Sequence, residues 1–172
     1  MDDPESMIEY WDEATFLLET LVMKAHGQDP DGPDLSFAND SAKLYKEKEA
    51  SAFRRAMQKA RPKRDDHVHT NIKTALEPIF NNYLSMVKQA EDKSKVNALT
   101  VIILTDGLWM GMADPNEIIP AILDFYGKLT KEMDGMMKYR QVSIQFIQFG
   151  DDEEARERLR RLDDDMPYHG VE

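Results

Sequence analysis

The run from Ala98 to Gly107 reads A-L-T-V-I-I-L-T-D-G, and its acid is the first side chain that could do chemistry. A continuous β-branched run fits a strand buried on both faces, as in the middle of a parallel sheet. The switch to Thr105, Asp106 and Gly107 is what a strand shows where it leaves the sheet. Ligands of open α/β sheets sit outside that C-terminal edge, so Asp106 is a candidate ligand-binding acid. Two other places should face the same edge: the start of the first helix, with Asp2 and Ser6, and the loop before the long helix, with Thr70. His67 and His69 form an H-x-H pair beside Thr70, which is a weak zinc signal without a third ligand. Arg54, Arg55, Lys59, Arg61, Lys63 and Arg64 form a basic cluster that reads first as a solvated helix end and second as a contact for an acidic partner.

The elements that must position these residues follow from periodicity. Trp11, Ala14, Leu18, Leu21, Val22 and Ala25 make one helical stripe, which predicts a helix from Ser6 to Ala25. Ser6 and Glu9 match a capping box at its start, and Gly27 sits where a C-terminal cap belongs. A short strand is expected at Asp34 to Ala38, an edge strand at Ala42 to Tyr45, and a helix at Ser51 to Ala60 that ends before Pro62. Ile72, Ala75, Leu76, Ile79, Phe80, Tyr83 and Val87 mark a long helix, which Pro78 should kink or restart. After the strand that ends at Thr105, Asp114, Pro115 and Glu117 open another helix with Ile118, Ile122, Phe125 and Leu129 inward. Gln141 to Phe149 is a further strand, and a last helix carries Ala155, Leu159 and Leu162. Helices alternate with strands through the second half, the signature of βαβ units and of a three-layer α/β fold with a mostly parallel central sheet flanked by helices.

The chain has 172 residues, enough for one domain with a real core. Hydrophobic content of 41% and charged content of 32% describe a globular chain. A net charge of −11 argues against general nucleic-acid binding and suits cation binding. No apolar run reaches a membrane span, and the polar start M-D-D-P-E-S is no secretory signal. Zero cysteines remove disulfides and thiolate sites, and with the absent leader they make the cytoplasm the expected compartment.

The three places together resemble the metal-ion-dependent adhesion site of von Willebrand factor A-like (vWA) domains, and most closely the vWA-like domains of fungal proteins. In that family the first strand ends in D-x-S-x-S, a Thr stands before a later helix, and an Asp follows the central strand. Here Thr70 precedes I-K-T-A-L-E-P-I-F, T-D-G stands at Thr105 to Gly107, and D-D-P-E-S-M from Asp2 to Met7 aligns with the first motif. Asp2 and Ser6 fit, whereas Pro4 replaces the middle Ser. The resemblance implies a Rossmann-like single domain over residues 1–172, with the family's first central strand missing and the domain incomplete at both ends. It further implies Ser6 and Thr70 as direct ligands of Mg²⁺ or Mn²⁺, with Asp2 and Asp106 bound directly or through water. Mg²⁺ is hard and octahedral and keeps several waters, so hydroxyls and a few carboxylates suit it. The open position would then take a carboxylate from a protein partner.

Trp109 and Met110, on the loop after Asp106, are expected either to form a partner-binding rim beside the cation or to fold onto adjacent helices. The expected function is a non-enzymatic interaction module. One alternative is a truncated relic without metal binding, and another is a Mg²⁺-dependent phosphoryl-transfer or hydrolytic enzyme. The last lacks a phosphate loop, a nucleophile elbow and a second acidic strand end. Ser6 and Thr70 also read as plain helix caps, and Asp106 as an acceptor for loop amides.

Overall fold

A computed structural model describes residues 1–25, 32–47, 49–64 and 68–165. The expected cap at Gly27, most of the Gln28–Pro33 turn signal and His67 lie outside the described residues. A 3-10 turn at Glu5–Ile8 leads into α1 (Trp11–Ala25). The hairpin strands β1 (Asp34–Phe37) and β2 (Asp40–Lys46) follow, then α2 (Ala50–Ala60) and α3 (Ile72–Gln89). β3 (Leu99–Thr105), α4 (Ile118–Met133), β4 (Val142–Gln148) and α5 (Glu153–Asp165) complete the order.

The expected helix from Ser6 is corrected at its start. Pro4 holds the position before the 3-10 turn in extended backbone, no side chain caps it, and Ser6 is exposed. Proline donates no backbone hydrogen bond and favours a first-turn position, so a tight turn precedes the regular helix. α3 runs unbroken past Pro78, so no restart occurs. Pro78 lies on the exposed face, where water can satisfy the carbonyl its missing N–H leaves free.

Strand side chains alternate between two faces, one covered along its length and the other covered only near the C-terminal end, where Leu104 is buried while Thr100 and Ile102 are exposed. Val101 and Ile103 of β3, with Ile144 and Phe146 of β4, join the apolar faces of α3 and α4. Leu104, Ile147 and Phe149 point the other way, into a core built from α1, α2 and the β1–β2 hairpin. Phe80 and Phe125 stack at 4.1 Å between ring centroids and tie α3 to α4. On the opposite side the Trp11 indole donates to the Met57 carbonyl at 3.0 Å. Arg54 grips Glu19 through two bonds of 2.6 Å, and Arg61 reaches Asp12 at 2.9 Å. Two members of the basic cluster thus serve the α1–α2 contact.

The chain is mixed α/β, and the parallel pair is present: β3 and β4 align from Leu99 opposite Val142 to Thr105 opposite Gln148. The expected continuous central sheet is not. Among the described residues two separate two-stranded sheets form, antiparallel β1–β2 and parallel β3–β4. The reason is local. Among the described residues only the backbone of Met1 and Asp2 lies between them: the Met1 nitrogen donates to Ser36 O at 2.9 Å, the Ala38 amide to Met1 O at 2.8 Å, and the Asp2 amide to Leu104 O at 2.9 Å. Among the described residues no helix is long and apolar enough to cross a membrane.

Candidate functional site

The bridge between the sheets delivers Asp2 to the C-terminal end of β3. Its amide is fixed on Leu104, and its carboxylate is fully buried over the strand end. One carboxylate oxygen accepts the Thr70 hydroxyl at 2.5 Å, and the other accepts the Thr105 hydroxyl at 2.5 Å. Both threonines are fully buried. Thr105 is the hub: its hydroxyl also accepts the Gly107 amide at 2.8 Å and the Trp109 indole N–H at 3.0 Å.

Local sequence accounts for each placement. Thr70 stops just short of α3 because Asn71 is the N-cap, its side chain accepting the Thr74 amide at 3.1 Å. The Thr70 carbonyl accepts the Gly111 amide at 2.9 Å, which pins the loop after β3 over the start of α3. Gly107 leaves the strand with a positive φ of 80°, a conformation open to glycine, and Ala155 of α5 packs against it. Arg158 donates to the Gly107 carbonyl and lies over the Trp109 ring at 5.8 Å.

Asp106 is 3% exposed. One of its carboxylate oxygens accepts the Leu108 amide at 2.9 Å. The other is buried with no hydrogen-bond partner among the described residues. Leaving a buried carboxylate oxygen unpaired is costly, so this atom would be stabilised by a donor or a cation. Burial is the main reason the Asp2 carboxyl is pushed up to about 6; the Thr105 and Thr70 hydroxyls oppose that rise and the Asp106 charge adds to it.

Asp2, Thr70 and Asp106 are therefore brought to one place: Thr70 bonds Asp2, and the Asp106 charge acts on it. Ser6 is exposed, and its hydroxyl makes no hydrogen bond among the described residues. Trp109 is 1% exposed and packs with Phe146 at 5.8 Å between centroids, whereas Met110 is 72% exposed. Of the expected rim pair, only Met110 is at the surface. Trp109 folds down because its N–H has a buried acceptor in Thr105. Among the described residues no three His, Cys, Asp or Glu side chains converge. A cation here would need hydroxyl oxygens beside its carboxylates, and the donor set of Asp2, Thr70 and Asp106 has that hard, all-oxygen character.

Sequence reasoning missed three residues of the site. Thr105 was visible as the threonine of T-D-G but gave no sign that it joins Asp2 to Trp109. Gly111 and Arg158 carried no sequence signal for their contacts with Thr70 and Gly107.

Gly111 offers a direct test of this packing. A Cβ there would lie 2.8 Å from the Thr70 carbonyl carbon and oxygen. Gly111→Ala should cost roughly 1–3 kcal/mol, because backbone must move to admit it. Gly127→Ala, at a position of α4 where a Cβ meets nothing within 4 Å, should instead stabilise by roughly 0.5–1 kcal/mol. Urea midpoints of the two variants, compared with the parent, check the contrast.

No family model, curated protein or solved structure matches the chain.

Proposed function

We propose that the chain is a non-enzymatic interaction module of the vWA-like kind, a broken three-layer version of that fold. In this reading Mg²⁺, or Mn²⁺ in its place, is held by Asp2, Thr70 and Asp106 at the C-terminal end of β3. Ser6, exposed in the entry turn, is the remaining oxygen donor of the set. The observation that carries the reading is the buried, unpartnered oxygen of Asp106 beside a second buried carboxylate. Two neighbouring carboxylates in a low-dielectric place repel, and a divalent ion relieves that repulsion.

The protein's own groups divide the work. Thr105 orients Asp2, and the Leu108 amide orients Asp106. The Gly111–Thr70 tether holds the loop in place. When bound, the ion would supply an open coordination position for a carboxylate of a protein partner. Met110, exposed on the same loop, would contact the apolar surroundings of that carboxylate.

Thermal melting tests the metal. At a cation concentration ten times its Kd, native-state binding adds about 1.4 kcal/mol, or a rise of roughly 3–6 °C for a chain of this size. Millimolar Mg²⁺ or Mn²⁺ should raise the midpoint measured in EDTA by this order, and Asp106→Ala should abolish the shift. A parent midpoint indifferent to both cations would remove the metal from the reading.

A further inference from the structure

The stretch 50–64 carries Arg54, Arg55, Lys59, Arg61, Lys63 and Arg64 and contains no aspartate or glutamate. The whole chain carries −11, so the remainder is more acidic still. Arg54 and Arg61 are neutralised within the fold, by Glu19 and Asp12. Arg55 and Lys59 are exposed, and among the described residues neither makes an ion pair or a hydrogen bond. They stand one turn apart on α2, whose opposite side is buried through Ala52, Phe53, Ala56 and Met57. Like charges at that spacing repel, and an anion bound between them relieves the repulsion. A groove of about 310 Å³ lies beside this row, between α1 and α2. Trp11 and Phe16 line it from α1, and Arg54, Gln58 and Arg61 from α2. Gln58, three residues after Arg55, joins the groove to the cationic row. Phe16 is 71% exposed, so a large apolar ring meets water in the groove.

We propose that the outer face of α2 and this groove form a docking surface for a short acidic segment of a partner protein that carries one large apolar side chain. The apolar side chain covers Phe16 in the groove and acts as the anchor. Carboxylates beside it meet Arg55 and Lys59. Charge complementarity sets the sign of the partner, and the surroundings set its length. In sequence the stretch is bracketed by Glu47 and Glu49 before it and by Asp65 and Asp66 after it. The 11 residues of α2 span only about 16 Å. A nucleic acid or an anionic membrane extends its charge far beyond that length and brings phosphates against an acidic chain. A short acidic segment is neutralised within the face. The surface shares no residue with Asp2, Thr70 and Asp106, so docking here does not need the cation.

Residue-resolved NMR amide shifts of the full chain, recorded in EDTA at low salt, test the surface. The probe is a capped synthetic peptide with a phenylalanine between two runs of three glutamates. Saturable shifts are expected at Phe16 and from Arg54 to Lys59, and they should weaken as salt is added. Reversing both charges, Arg55→Glu with Lys59→Glu, should weaken binding roughly tenfold or more. Both side chains are exposed, and an unchanged melting midpoint reports an intact fold. Phe16→Ser should weaken binding roughly threefold or more and leave the salt dependence in place. No saturable shift at about 1 mM peptide, which is the weakest binding of interest, overturns the proposal. Full affinity in the charge-reversed variant, or for a peptide with alanine in place of phenylalanine, also overturns it. Tighter binding of a ten-nucleotide oligothymidylate or of phosphatidylserine vesicles overturns it, since the partner is then a phosphate polymer or a membrane. Shifts of the same amides on raising the protein concentration without peptide overturn it as well, since the occupant is then a second copy of the chain.

Discussion

Trp109→Ala is expected to lower stability by about 3–5 kcal/mol, the range for truncating a large buried aromatic. The indole is 1% exposed, so nearly its whole surface would be exchanged for a cavity. Its loss also removes a donor to Thr105, the ring contact with Phe146 and the cation–π partner of Arg158. These losses are not independent, because Thr105 positions Asp2 and Arg158 holds the Gly107 carbonyl. Trp109→Phe isolates one component. It keeps an aromatic ring in place and deletes the N–H, which should cost about 1–2 kcal/mol for the lost bond and imperfect fill. Met110→Ala, at a side chain that is 72% exposed, should stay within about 0.5 kcal/mol. Denaturant midpoints at constant slope give all three values. The ordering separates a structural tryptophan from a surface hot spot: a surface residue would show a small stability loss in Trp109→Ala comparable to that in Met110→Ala.

The same residue shows where sequence reading stops. β3 was legible as a strand because a nearly continuous apolar run that ends in T-D-G marks a strand leaving its sheet, but the expected burial on both faces is corrected: Thr100 is exposed and Ile102 is 36% exposed, because no strand among the described residues covers that side. The stripes on α3 and α4 were legible because helical spacing records which face is buried, and Phe80, Tyr83, Ile122 and Phe125 all lie in the core. Asp2, Thr70 and Asp106 were assigned to one sheet edge by the resemblance and by their places at strand or helix ends. The hydrogen bonds that link them were not visible in spacing, since the Asp2–Thr70 bond spans 68 positions and the Asp2–Thr105 bond spans 103. Composition could not tell whether Trp109 points out or in, because that depends on the acceptor waiting beneath it. The divided sheet has the same character. Each strand carried a local signal, but which strands pair, and whether a gap separates them, is a matter of long-range contacts with no periodicity of their own. Ser6 failed as a cap for a local reason, namely that Pro4 starts a 3-10 turn first.

Asp2 should make the protein more stable in mild acid than at neutral pH, the opposite of an ordinary ion-paired carboxylate. Its folded value of about 6 stands above the 3.8 of the free side chain. A folded acid with a raised value holds its proton more tightly than the unfolded one. The two states are equal in this respect below the unfolded value, the penalty for ionising grows as pH rises through the window between them, and above the folded value it is complete. A shift of this size corresponds to ~3 kcal/mol at full penalty. Between pH 7 and pH 5 about 1.3 kcal/mol of it is recovered, a rise of roughly 3–5 °C in the melting midpoint. Asp2→Asn should flatten that dependence. Its amide can donate to the Thr70 oxygen while its carbonyl keeps the Thr105 bond, so D2N preserves the shape and removes the titration. Asp3, which burial also raises, contributes with the same sign, and Asp3→Asn measures its share. The cation reverses the sign. An ion bound to Asp2 and Asp106 requires both carboxylates ionised, so the midpoint rise on adding Mg²⁺ should be larger at pH 7 than at pH 5. Melting curves at the two pH values, each with EDTA and with Mg²⁺, therefore separate a buried acid that is merely tolerated from one kept for a metal. In the first case acid stabilises and Mg²⁺ does nothing at either pH. In the second, Mg²⁺ at neutral pH recovers what protonation recovers in acid, and D2N responds to neither.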